Sequence, residues 1–153
     1  MRGEGIVAIM KPRDQVAALP FVPFKKRFKI ILITSRATGR WIIPKGWPDP
    51  ARSPPKQAAR EAYEEAGLMG IAGRRSLGNY RYLKLLEDGS SIPCKVAVFP
   101  FLVTKQVHSW PEKGEREARM VKPADAAKMV EEDDLSKLLR DFKPPAYLLR
   151  KIA

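Results

Sequence analysis

Residues 54–68 read PPKQAAREAYEEAGL, and the fold turns on them. Pro54 suits a first helical position, where no N–H is needed, and Ser53 before it can act as N-cap. Strong helix formers follow. Gly67 fits the C′ position, which favours a left-handed residue. A helix is therefore expected over residues 54–66. Ala58, Ala62 and Ala66 recur at i+4 and make one face small enough to lie close on a sheet. Glu61, Glu64 and Glu65 stand at i, i+3 and i+4 on another face. Like charges at those spacings cost a few tenths of a kcal/mol per pair, and the helix dipole disfavours anions near its C-terminal end. Helix propensity does not account for the placement. Two readings stand: a solvated acidic face with Lys and Arg neighbours, or a face that holds a hard cation such as Mg²⁺ or Mn²⁺.

Outward from this helix the chain alternates strands and turns. Residues 16–28, VAALPFVPFKKRF, are apolar but interrupted by Pro20 and Pro23, which suits an edge strand and a loop. FKIILIT (28–34) reads as a buried strand, SRATGR turns at Gly39, and WIIP (41–44) is a short strand. Residues 45–55 carry four prolines and a glycine and read as a loop that runs into the helix start. GNYRYLKLL (78–86) and CKVAVFPFLV (94–103) read as a hairpin across the Glu87-Asp88-Gly89 turn. A polar loop (108–121) ends in a short strand, and Pro123 opens a brief helix. Asp133 or Asp134 caps another, whose Leu135, Leu138, Leu139 and Phe142 show the spacing of a packed face. Pro144-Pro145 separates a short docked helix. The order predicts an α/β sandwich on a mixed sheet, with all 153 residues in one domain.

Composition narrows the classes. Hydrophobic residues make up 44%, normal for a globular chain and too many for a disordered one. No apolar run approaches the roughly 18 residues of a membrane span, and the N-terminus lacks the pattern of a secretory signal. Neither points to a membrane partner. The one cysteine, Cys94, has no internal partner and lies in an apolar stretch, as expected of a buried thiol in a reducing, cytoplasmic setting. The single His108 lacks the Cys and His companions of a zinc site. The formal net charge is +12, and it is lopsided: residues 1–60 hold 13 Lys/Arg against 3 Asp/Glu. Such a basic half suits an anionic partner.

The wider frame decides between the two readings of the glutamates. Gly46, Arg60, Glu61, Ala62, Glu64, Glu65, Gly67 and Leu68 follow the spacing G-x5-E-x7-R-E-U-x-E-E-x-G-U, where U is bulky and apolar. Ala62 is a small apolar match, and Arg52 stands where the pattern has its first Glu. The sequence thus resembles the Nudix hydrolases. With the flanking RATGRWIIPKGWPDP and WPEKGEREARMVKPADAAKMV, it resembles the subgroup of diphosphoinositol polyphosphate and diadenosine polyphosphate hydrolases. The resemblance implies Mg²⁺-dependent (or Mn²⁺-dependent) hydrolysis of a diphosphate linkage. It implies Glu61, Glu64, Glu65 and the Gly46 carbonyl as metal ligands, with Glu61 and Glu64 counted as catalytic. Arg60 would orient a catalytic glutamate, but its usual partner is the position held here by Arg52. Either Asp49 substitutes or Arg60 makes another contact. A further loop glutamate is expected from Glu112, Glu115 or Glu117, with Glu115 favoured.

A polyphosphorylated small molecule needs cationic contacts. Arg36, Arg40 and Lys45 flank the WIIPKG strand and are the first choices, with Arg27, Lys25 and Lys26 extending the patch. Arg81 and Lys84 could also face the cleft, whereas Trp41 and Trp47 read as core or loop anchors rather than base-stacking residues. Two other functions compete. One is removal of a 5′ diphosphate or cap from RNA, which the basic half and the aromatics permit. The other is a non-catalytic binding module, supported by Arg52 alone.

Overall fold

The computed structural model describes residues 11–152. The reading of the N-terminus as lacking a secretory signal falls largely on residues outside that range. Among the described residues, eight strands form one mixed sheet: β1 (Arg13–Phe24), β2 (Arg27–Thr34), β3 (Trp41–Ile42), β4 (Lys45–Gly46), β5 (Leu68–Ala72), β6 (Gly78–Leu85), β7 (Ser91–Gln106) and β8 (Ala118–Val121). The helices are α1 (Pro54–Ala66), α2 (Pro123–Met129), α3 (Asp133–Asp141) and α4 (Ala146–Leu149), followed by a 3-10 turn. The main strand order is β3-β2-β1-β7-β5, with β1 and β7 parallel.

Strand alternation sorts the core into two layers. Val16, Ala18, Ile31 and Ile33 face α1, where Ala58, Ala62 and Ala66 let the helix lie close. Ala17, Leu19, Phe21, Ile30 and Leu32 face the other way, against Leu135, Leu139, Phe142 and Leu148 of the C-terminal helices. The result is the α/β sandwich the sequence predicts. Helix α1 has the expected bounds, with Pro54 at its first turn and Gly67 left-handed at φ 69°, although Ser53 makes no side-chain capping bond. Helix α3 begins at Asp133 itself, and Glu132 takes the N-cap position. Cys94 is buried and free, as read. Among the described residues no helix is long and apolar enough to cross a membrane.

One expectation needs correction, and one strand is new. Residues 16–24 are not an edge: β1 lies at the centre, and the ladders explain how it carries two prolines. The Ala18 N–H donates to the Pro44 carbonyl at 2.9 Å, so by alternation Pro20 faces the same side. On that side β4 pairs with Val16 and Ala17, and β2 takes over only at Phe21. Pro20 sits in the gap, where no ladder bond is needed. Pro23 faces the opposite side, beyond Phe21, the last residue paired to β7. Sequence reading gives no element for β5, an edge strand whose apolar pattern is interrupted by Gly70.

The same ladders create the site. Ile33 pairs with β8 on one side and β3 on the other, while Val16 pairs with β7 and β4. Strands β1 and β2 therefore splay apart, and residues 41–46 wedge between them. The fork opens beside the C-terminal half of α1.

Candidate active site

A cavity of about 550 Å³ lies in that fork. The fork supplies Gln15, Ile42, Lys45, Gly46 and Trp47, α1 supplies Glu61 and Glu65, and the β6–β7 hairpin supplies Lys84 and Glu87. Ser35 and Arg36 follow β2, and the 107–117 loop brings Glu112 and Arg116. That loop is tied to the end of α1. The Glu112 N–H donates to the Glu64 carbonyl at 3.0 Å and Val107 N–H to the Gly67 carbonyl at 2.9 Å. The Trp110 ring lies where a Cβ on Gly67 would stand.

The carboxylates divide. Glu61 and Glu65 are both buried at 8% exposure and line the cavity. Glu61 rests against Gly46 so closely that a Cβ there would overlap its carboxylate. Glu65 Oε1 accepts from the Lys45 N–H at 3.4 Å. Glu64, 100° further round the helix than Glu65, pairs instead with Arg60 Nε at 2.6 Å. Arg60 thus makes its other contact, and Asp49 pairs with Arg52 at 3.4 Å.

Burial sets the electrostatics. It raises the Glu65 carboxyl to about 8, against the pull of Arg116, with the Glu61 charge adding to the rise. Burial raises Glu61 too, opposed by the hydrogen bond from Gln57. It lowers Lys45 to about 8, opposed by Glu65. The loop carboxylate in the cavity is Glu112 rather than the favoured Glu115. Arg116, 9% exposed, bonds Glu112 Oε1 at 2.9 Å, lies 3.8 Å from Glu65 and donates to the Thr34 carbonyl at 3.0 Å. Glu115 is held outside by Arg36 at 2.7 Å. The Glu117 N–H bonds Thr34 Oγ1, where the chain enters β8.

The cations divide as well. Lys45, Lys84 and Arg36 line the cavity. Arg40 does not: it is ion-paired to Glu132 and lies near Glu131. Arg27 starts β2, whereas the cavity begins at Ser35 beyond its end, about 25 Å along the strand. Lys25 and Lys26 share the distant turn. Arg81 is exposed and alternates out of register with the inward-facing Lys84. Trp41 packs on the core with Arg119 stacked on it, while Trp47 lines the cavity under Arg13 at 4.9 Å. Sequence reading missed Arg116 and Gln57. Both carry an i,i+4 signal toward a glutamate, Glu112 and Glu61 respectively.

The oxygen donors suit a hard divalent cation. Among the described residues no three acidic, histidine or cysteine side chains form a ready cage. Glu61 nevertheless lies against Gly46 and Glu65 against the Lys45 N–H, side by side on the cavity wall with burial opposing their charge, which a cation would relieve.

Residues 11–142 match the NUDIX domain. The chain belongs to that family, and its domain is of the pyrophosphohydrolase class. It is 27% identical to Nudix hydrolase 12, mitochondrial, of Arabidopsis thaliana, over 79% of this chain and 61% of that protein. It is 29% identical to diphosphoinositol polyphosphate phosphohydrolase 3-alpha of Mus musculus, over 78% of this chain and 70% of the relative. This chain therefore spans about three-fifths to seven-tenths of the length of these relatives. The C. elegans Ap4A hydrolase binary complex superposes with a TM-score of 0.61 at 18% identity, covering 91% of this chain and 98% of that one. The NUDIX domain of Shewanella oneidensis NrtR, solved with ADP ribose, gives 0.60 at 16% identity, covering 95% and 90%. These two likenesses concern the fold.

Proposed function

We propose that the domain hydrolyses a diphosphate linkage in a highly phosphorylated small molecule, a diphosphoinositol polyphosphate or a dinucleoside polyphosphate, with Mg²⁺ or Mn²⁺ as cofactor. One observation carries this: the buried Glu61–Glu65 pair faces Lys45, Lys84 and Arg36 across a single cavity. The names of the curated relatives agree with the substrate class. Glu61, Glu65 and the Gly46 carbonyl would hold the cation. When bound, such a cation neutralises phosphate oxygens and acidifies a coordinated water.

The chain's own groups supply the rest. Lys45, Lys84 and Arg36 bind the flanking phosphates and orient the scissile one. Arg116 and Arg36 both address Oε1 of Glu112, which leaves Oε2 to take the proton of the attacking water. The water oxygen bonds to phosphorus, the bridging P–O bond breaks, and the leaving phosphate keeps the electron pair. Glu64 is paired with Arg60 and does not line the cavity.

The test is phosphate release from both substrate types, with and without Mg²⁺, in the wild type and in Glu61→Gln and Glu64→Gln. Metal-dependent turnover that collapses in Glu61→Gln is expected. Equal activity in the wild type and Glu61→Gln would sink the proposal, and turnover confined to capped or 5′-phosphorylated RNA would replace it.

A further inference from the structure

Arg52 stands where the signature has glutamate, and its hydrogen bonds lead through Gln57 to Glu61. Its Nη1 donates to Gln57 Oε1 at 3.3 Å, and Gln57 Nε2 donates to Glu61 Oε2 at 2.5 Å. Asp49 anchors the start of this chain: its Oδ2 lies 3.4 Å from the same Arg52 nitrogen, and its Oδ1 accepts the Ala51 N–H at 2.9 Å. Gln57 is only 5% exposed, so water does not compete for its amide.

We infer that Arg52 and Gln57 are matched positioning residues, a relay that aims the Glu61 carboxylate at the cation site. The reason is directional. A guanidinium can only donate, so Gln57 must turn its oxygen to Arg52 and its NH₂ to Glu61. A glutamate at position 52 can only accept. It would compete with Glu61 for the amide N–H groups, leave the Gln57 oxygen without its donor, and add a like charge beside the carboxylate. Arginine at 52 and an amide at 57 therefore belong together. This also accounts for Arg60, which is left to Glu64. The inference rests on the reading of Glu61 as a metal carboxylate.

The experiment is Mn²⁺ titration of the full chain, by calorimetry and electron paramagnetic resonance, with Tm measured in parallel. The series is wild type, Arg52→Lys, Arg52→Ala, Arg52→Glu, Gln57→Ala and the Arg52→Ala/Gln57→Ala double variant. Loss of an outer hydrogen-bond partner weakens metal binding about 10–100-fold. Arg52→Ala and Gln57→Ala should each fall in that range, Arg52→Glu should be the worst at this position, and Arg52→Lys should keep most of the affinity. Because the two act in series, the double variant should bind no worse than Gln57→Ala. Unchanged affinity in Arg52→Ala and Arg52→Glu, or additive losses in the double variant, would overturn the relay. Arg52 lies on an exposed loop, so its series decides the matter even where Gln57→Ala fails to fold. Wild type that binds Mn²⁺ alongside variants that bind it equally removes the relay alone. Wild type that neither binds Mn²⁺ nor cleaves any diphosphate removes the proposed function and the relay with it.

Discussion

Gly46 shows how one missing side chain builds a site. Its backbone is not left-handed, so conformational freedom is not the reason for glycine here. The reason is space: a Cβ would occupy the position of the Glu61 carboxylate. That carboxylate is the far end of a flexible side chain and can move away. Gly46→Ala should therefore lower Tm little, while metal affinity falls by at least the about 10–100-fold typical of disturbed ligand support. Calorimetry and Mn²⁺ titration on the same sample check both halves. Glu65 supplies a pH signature. Its folded value, about 8, lies above the value of a free glutamate. The stability it contributes is fully present below the unfolded value and is lost as pH rises toward 8. Lys45, lowered to about 8, works in the opposite sense: its contribution is present above its unfolded value and lost as pH falls through 8. Metal-free protein should thus be least stable near pH 8. Glu65→Gln should flatten the fall in Tm from about pH 5 to that point, and added Mg²⁺ should raise Tm most at pH 8.

At the scale of elements, α1 and the 107–117 loop act together. Gly67 ends the helix in the left-handed region, and the Trp110 ring covers it. Gly67→Ala would meet a backbone penalty of about 1–2 kcal/mol and would also push Trp110 aside. Chemical denaturation should show at least that loss. Because Trp110 sits in the loop that carries Glu112, turnover should fall even at temperatures where the variant is folded. Turnover that tracks only the folded fraction would contradict the coupling. Much of α1 was legible, since proline, alanine and glycine each report a local requirement. Strand β1 was misread because Pro20 and Pro23 were judged against an uninterrupted ladder. Its partners change at those positions, and that is a property of the sheet rather than of the strand.

At the scale of the molecule, the +12 charge is not one patch. The fold sends Lys25, Lys26 and Arg27 to the far end of β1 and β2, while Lys45, Lys84 and Arg36 line the cavity. A charge-assisted bond is worth about 1.5–3 kcal/mol. Lys84→Ala should therefore raise KM for a polyphosphate about tenfold or more and change kcat much less. Raising ionic strength should raise KM in the same direction by screening the cavity. An Arg27→Ala variant with the same KM as the wild type would confirm the division, and one as weak as Lys84→Ala would refute it.

Local chemistry in the sequence determined the helix bounds, its alanine face, its ring of glutamates and the family spacing from Gly46 to Leu68, because caps, period and glycine positions are decided within a few residues. Only the tertiary structure decided which glutamates share a cavity, that Glu112 rather than Glu115 joins them, and that Arg40 pairs with Glu132 outside that cavity. It alone showed Gln57 joining Arg52 to Glu61. Those outcomes depend on where β1 and β2 part to admit residues 41–46, and on which charges find each other across segments far apart in the chain. Pairing of that kind is settled by the packed sheet, where burial makes each unpaired charge costly, and no local pattern records it.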